Sequence, residues 1–154
     1  MMKLGDLIDE HVEELAALDS LDGGKLFQMG KIVDVPSAAN MLRYYAGAAD
    51  KIHGEVLKMA RPFHGYTLME PMGVVAHIIP WNFPTTMFFL KVSPALAAGC
   101  TMLVKPAEQT PLSALFYAHL AKLVFPNLLG IIKSIQIFCI LTISFFGFLR
   151  GAFW

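Results

Sequence analysis

Three polar side chains stand out in the drier half of this chain. Asn82 sits in Pro80-Trp81-Asn82-Phe83-Pro84, between two aromatic residues and bracketed by prolines. Its carboxamide NH₂ can donate to an oxygen that turns negative when a nucleophile adds to a carbonyl. The prolines restrict the backbone on either side and give the amide a stiff setting. The same side chain can instead cap the turn beside Pro84, and residue chemistry leaves both readings open. Lys105 and Glu108 stand together in Lys105-Pro106-Ala107-Glu108-Gln109-Thr110-Pro111. An ammonium and a carboxylate at this spacing offer donors and acceptors to vicinal hydroxyls such as those of a ribose. A solvated ion pair uses the same two residues equally well. Neither loop carries a glycine-rich dinucleotide fingerprint, so spacing alone identifies no cofactor.

Each loop follows a short apolar run. Gly73-Val74-Val75-Ala76-His77-Ile78-Ile79 precedes the first, and Thr101-Met102-Leu103-Val104 precedes the second. Runs of four to eight apolar residues alternating with helical patterns argue for strand–helix–strand units and a parallel sheet, an α/β fold. Thr85 to Ala98 is the intervening helix, with Met87, Phe88, Leu90, Val92, Ala95 and Leu96 along it, and Gly99 suits a C-terminal position of positive φ. Thr110 and Pro111 open a second helix as cap and first residue. Leu112, Leu115, Phe116, His119 and Leu123 line one side of it, and Ala114, Ala118 and Ala121 permit close approach on others. Open α/β sheets place ligands beyond the carboxyl ends of their strands, where Asn82, Lys105 and Glu108 fall.

Upstream, residues 3–18 predict one amphipathic helix, with Leu4, Leu7, Ile8, Leu15 and Leu18 at roughly helical spacing. The stretch Asp19-Ser20-Leu21-Asp22-Gly23-Gly24 is expected to break it. A further helix is expected from about Pro36 to Lys51, capped by Asp34, with Met41, Tyr44, Tyr45 and Ala48 facing inward or towards a neighbouring helix. Residues 55–66 read as loop, and Tyr66 to Glu70 as an edge strand or a connection.

Composition narrows the classes. Of 154 residues, 56% are hydrophobic and 16% charged, and formal net charge is zero. Residues 71–154 hold five basic residues and one acidic one, without a Lys/Arg cluster, so a nucleic-acid groove is not expected. Two cysteines, Cys100 and Cys139, form neither a disulfide framework nor a paired metal motif, and no metal site is expected from the five scattered histidines. The acidic N-terminus lacks the apolar core of a signal peptide, pointing to a cytoplasmic protein. Ser134 to Leu149 runs sixteen residues without a charge, between Lys133 and Arg150. That segment, taken over 128–150, approaches membrane-spanning length, giving a second localisation at a membrane. A foreign or read-through terminus and a buried helix are the competing accounts.

Ile78-Ile79-Pro80-Trp81-Asn82-Phe83-Pro84, followed by Val104-Lys105-Pro106-Ala107-Glu108-Gln109-Thr110-Pro111, resembles the NAD(P)-dependent aldehyde dehydrogenase family. Tyr66-Thr67, Glu70-Pro71, Pro94 to Gly99 and Leu42 to Gly47 support the likeness, which covers about residues 6–123 and is closest to cytosolic, mitochondrial and plant phenylpropanoid-aldehyde forms. The resemblance implies a partial, truncated Rossmann-like cofactor-binding domain over 1–123 and a non-family tail over 124–154 forming a hydrophobic C-terminal helix. It implies that Asn82 stabilises an oxyanion on the aldehyde carbon. Ile78, Ile79, Pro80 and Trp81 would line the cofactor cleft, and Lys105 and Glu108 would contact the adenosine ribose. Phe83, Met87 and Phe88 would form one wall of the substrate path. NAD is favoured over NADP, because Glu108 beside the ribose repels an added phosphate. The family's nucleophilic cysteine, general-base glutamate and glycine-containing turn are not matched here. Cys100 reads as a packing residue, and Cys139 carries no family motif. The expectation is therefore an inactive fragment, with weak or no cofactor binding and an exposed sheet edge beyond its second central strand. Alternatives are a non-catalytic partner of a full-length dehydrogenase subunit, a homo-oligomer, or a small membrane-anchored protein.

Overall fold

The computed structural model describes residues 1–124, 129–134 and 138–143. Two N-terminal helices replace the single one expected: α1 (Met2–Glu10) and α2 (Val12–Gly23), separated at His11 with φ −108° and ψ 23°. α2 continues through the polar stretch and stops at Gly24, whose φ of 66° is open to glycine at little steric cost. The stretch stays helical while its side chains find partners beyond α2. Ser20 Oγ donates to the Lys25 carbonyl at 2.7 Å, and Asp22 Oδ2 accepts the Leu112 amide at 2.9 Å. These residues read locally as turn formers but serve tertiary contacts.

α3 (Phe27–Met29), a π-helical turn (Gly30–Asp34) and α4 (Val35–Ala48) follow one another without an extended break. Asp34 is therefore no cap: its backbone is helical, at φ −68° and ψ −49°. Val35, Ala38, Ala39 and Leu42 are fully buried, at the i, i+3, i+4, i+7 spacing of one helix face. α4 packs this face between α1, which contributes Leu4 and Ile8, and α5. Tyr44 is 72% exposed, so the inward stripe does not include it. Arg43 ties the outer side of α4 to Asp6 and Asp9 of α1, at 2.7 and 2.6 Å.

A 3₁₀ turn (Ala49–Lys51) leads to a small antiparallel pair, β1 (Val56–Leu57) with β2 (Gly65–Tyr66). Of the two readings of Tyr66 to Glu70, edge strand or connection, the second holds beyond Tyr66: residues 67–70 lie in no strand. The central unit is β3 (Val74–Ile78), α5 (Pro84–Ala97), β4 (Thr101–Lys105) and α6 (Leu112–Val124). β3 and β4 are parallel, in the register Val74↔Thr101 to Ile78↔Lys105, as the alternation of apolar runs and helical patterns requires. Gly99, at φ 73°, turns the chain from α5 into β4. Buried Phe88, Phe89, Val92 and Leu96 of α5 join Met102 and Val104 of β4 in the core.

The close-packed side of α6 is the one that carries its alanines. Ser113, Ala114, Tyr117, Ala118, Leu120 and Ala121 are buried, whereas Leu115 and Leu123 are 42% and 55% exposed. Alanines let α6 approach closely. Tyr117 fills the remaining space edge-on to Phe89, with centroids 4.6 Å apart, and against Phe88 at 5.4 Å.

The expected C-terminal helix is also corrected. β5 (Leu129–Ser134) and β6 (Phe138–Ile143) are strands, and the sheet order is β3-β4-β6-β5. β6 runs antiparallel to β4, with Leu103↔Thr142, so the edge of β4 expected to be exposed is paired. Isoleucine, phenylalanine and threonine suit a pleated strand at least as well as a helix, and hydropathy alone does not separate the two. Among the described residues no helix is long and apolar enough to cross a membrane. The remainder of the 128–150 segment, including its Arg150 flank, lies outside the described residues.

Candidate functional site

The two polar loops meet at the carboxyl ends of β3 and β4. Ile78 is in register with Lys105, and the Ile79 amide donates to the Lys105 carbonyl at 2.9 Å. Parallel pairing thus brings two loops separated by more than twenty residues to one end of the sheet. A second tie crosses between them, from Thr110 Oγ1 to the Trp81 carbonyl at 3.4 Å. Ile78 is 69% exposed and Trp81 60%, giving an apolar surface beside the polar Lys105–Glu108 loop. Pro80 is half-buried and Glu108 exposed. Ile79 points the other way: its side chain is 3% exposed and belongs to the core, so it meets this surface only through its backbone.

Asn82 is exposed. The capping residue of α5 is Phe83, and no side chain caps that helix, so the carboxamide is not used as a turn cap. Phe88, expected on a substrate wall, is instead buried in the core at 3% exposure.

Beneath the loop lies a polar cluster that sequence reasoning missed. Lys25 forms an ion pair with Asp34, and its ammonium stands over the Phe83 ring, 4.0 Å from the centroid. The other Asp34 oxygen accepts the Thr86 hydroxyl at 3.1 Å. Thr85 Oγ1 and the Tyr117 hydroxyl are 2.9 Å apart, both buried. Burial pushes the Tyr117 phenol well above its ordinary value, so it keeps its proton. Asp19 is fully buried, and neither oxygen has a well-aligned hydrogen-bond partner. Burial raises its pKa, the nearby Thr85 and Ser113 hydroxyls oppose the rise, and the charge of Asp22 adds to it. No local signal pointed to this cluster, because its members come from α2, the π turn, α5 and α6.

Two further side chains bear on the chemistry. His77 of β3 is buried with Nε2 unpaired, and burial, aided by the charge of Lys91, holds its pKa below the ordinary imidazole value. Cys100 is 5% exposed and precedes β4, at the opposite end of the sheet from Asn82. Five strand residues span roughly 16 Å, so its thiol is out of reach of a carbonyl held at Asn82. Among the described residues no three His, Cys, Asp or Glu side chains gather to hold a metal ion.

Parallel strands joined through a packed helix, with polar loops beyond their carboxyl ends, define part of an open α/β scaffold. The chain belongs to the aldehyde dehydrogenase family, whose sequence profile matches residues 1–132. It is 69% identical over 121 residues to aldehyde dehydrogenase family 2 member C4 of Arabidopsis thaliana, covering 78% of this chain and 24% of that protein. It is 54% identical over 123 residues to aldehyde dehydrogenase 1 of Tanacetum cinerariifolium, covering 80% and 25%. Among solved structures, the NAD⁺ complex of the Bacillus cereus aldehyde dehydrogenase superposes with a TM-score of 0.76 at 50% identity, over 79% of this chain and 25% of that one. The chain thus spans about a quarter of the length of the relatives it matches.

Proposed function

We propose that these residues supply the oxyanion donor and one wall of the cofactor cleft of an NAD-dependent aldehyde dehydrogenase. The carrying observation is the Ile78↔Lys105 register, which sets the Asn82 loop beside the Lys105–Glu108 loop at one end of the sheet. Asn82 points no hydrogen bond into the α5 cap and is exposed, which suits a donor reserved for a developing negative charge. Exposed Ile78 and Trp81 offer a flat apolar surface to a nucleoside or nicotinamide, with Pro80 shaping the turn and Ile79 fixing the backbone. Lys105 donates to, and Glu108 accepts from, ribose hydroxyls. The cofactor, when bound, supplies a hydride acceptor; this chain's share is to hold it and to stabilise the substrate oxygen.

NAD is preferred to NADP. A phosphate charge about 5 Å from the Glu108 carboxylate costs roughly 3 kcal/mol per unit charge at an effective dielectric near 20. Buried, distant Cys100 does not serve as nucleophile, so these residues by themselves do not oxidise aldehydes, and with a quarter of the relatives' length they hold only part of the cleft and bind NAD⁺ weakly. A second reading, a non-catalytic partner of a full-length dehydrogenase subunit, draws support from β3. Among the described residues it is one of the two outer strands of its sheet, with Val74 73% exposed.

NAD⁺ and NADP⁺ titrations monitored by amide shifts test the reading. Shifts at Trp81, Lys105 and Glu108 are expected with NAD⁺, weaker with NADP⁺, and reduced by Glu108→Ala. Absence of shifts at millimolar NAD⁺ refutes the cofactor wall. Conversion of an aldehyde to its acid by the purified chain, lost on Asn82→Ala, refutes the claim that it does not turn over.

A further inference from the structure

We propose that Lys25 is a positioning residue for Asn82, acting through the Phe83 ring; this deepens the reading of Asn82 as oxyanion donor and rests on it. An oxyanion donor works only when it is already aimed, because reorienting it during the reaction would cost what it returns. Asn82 is exposed, and its side chain does not cap α5. Its neighbours are fixed. On one side, the Trp81 carbonyl accepts the Thr110 hydroxyl at 3.4 Å. On the other, the Phe83 ring lies under the Lys25 ammonium, 4.0 Å from its centroid, where a cation is drawn to the negative face of the ring.

Lys25 is itself well held. Its backbone carbonyl accepts the Ser20 hydroxyl at 2.7 Å, directly after the left-handed Gly24 that ends α2. Its ammonium pairs with Asp34, and the side chains of the two are 20% and 7% exposed. Asp34 in turn accepts the Thr86 hydroxyl at 3.1 Å, in the first turn of α5. The cation therefore joins the end of α2, the π turn and the start of α5 at the residue next to Asn82. Phe83 has the non-helical conformation φ −140°, ψ 68°, at the point where the loop enters the helix. Holding its ring fixes where that entry occurs, and with it the backbone that carries the carboxamide.

The test uses the full 154-residue chain labelled with ¹⁵N-asparagine. It contains three asparagines, Asn40, Asn82 and Asn127, so the Asn82 carboxamide pair is assigned by its loss in Asn82→Asp. Lys25→Met keeps an unbranched apolar stem of similar reach and removes the cation. It is expected to shift the two Asn82 NH₂ resonances towards those of free asparagine and to speed their exchange with water, leaving Asn40 in place. Lys25→Arg keeps a cation over the ring and should restore both properties, which a role in bulk packing would not require. Phe83→Leu leaves the Lys25–Asp34 pair intact and should reproduce the Met effect, and the double variant should add nothing to either. If Lys25→Met also displaces Asn40, Phe83→Leu decides. Unchanged Asn82 resonances in the folded variants, or identical effects of Met and Arg, overturn the proposal. NAD⁺ added to the wild-type chain tests the cofactor reading separately, because the Asn82 measurements need no ligand.

Discussion

Tyr117→Phe removes one oxygen from the most enclosed part of the helical layer and nothing else. The ring stays against Phe89 and Phe88, at centroid distances of 4.6 and 5.4 Å, so its apolar burial is kept. What is lost is the 2.9 Å contact with Thr85 Oγ1, between residues 2% and 0% exposed. An ordinary hydrogen bond nets about 1 kcal/mol, but a buried hydroxyl left without a partner costs about 1–3 kcal/mol. The single variant should therefore destabilise the chain by about 1–3 kcal/mol, and Thr85→Val should do the same from the other side. The double variant strands neither group and should cost less than the sum of the two by 1 kcal/mol or so. Urea unfolding followed by far-ultraviolet circular dichroism measures all four chains, with an unchanged m-value as the check that the same transition is observed. Additivity of the two substitutions to within about 0.5 kcal/mol would refute the reasoning, since residues that do not interact behave in that way.

Two other outcomes follow from the same interior. Asp19 has its pKa raised by burial, so the folded chain holds that proton more tightly than the unfolded one. Stability should fall as pH rises from the ordinary value of 3.8 through the raised one, and Asp19→Asn should flatten that slope in urea midpoints taken across the acid range. Gly99→Ala forces a side chain into φ 73° and sets its Cβ 3.2 Å from Pro71 Cγ; a loss of about 1–2 kcal/mol is expected in the same unfolding assay, and a neutral result would show that the turn can relax.

The strand–helix–strand unit was legible because its signals are local. Val74 to Ile78 and Thr101 to Lys105 are bounded by glycine on one side and proline on the other, and the helix between them starts at a proline. Asn82, Lys105 and Glu108 could be placed at one end of the sheet once those strands were taken as parallel. Other features depend on partners that no local window contains. Asp22 and Asp34 looked like a turn former and a helix cap, the roles their residue type favours in isolation. Each is instead drawn to a distant group, the Leu112 amide for one, Lys25 and the Thr86 hydroxyl for the other. In α6 the alanines could be read as points of close approach, but the burial of Tyr117 between them depends on Phe88, Phe89 and Thr85 of α5. In the C-terminal segment, a run of apolar residues carries no periodicity that separates helix from strand, and pairing with β4 decides it.

This division explains where the chemistry of the chain can sit. β3 and β4 fix the backbone of both loops at their strand ends, through the Ile79–Lys105 hydrogen bond, so the loops need only short tethers beyond it. Those tethers are supplied from behind, by side chains near the end of α2 and the starts of α5 and α6. Asp22 holds the first turn of α6, and Asp34 the first turn of α5; both are carboxylates at helix N-termini, where the exposed amides and the helix dipole favour negative charge. Asp34 is also paired with Lys25, whose ammonium lies over Phe83 and so brings positive charge next to the Asn82 loop. A front surface of exposed apolar and amide groups thus rests on a back layer in which charge is buried and partly neutralised. Substitutions in that back layer should change the aim of Asn82 before they change the fold, because the apolar contacts of α1, α4 and α5 do not pass through it.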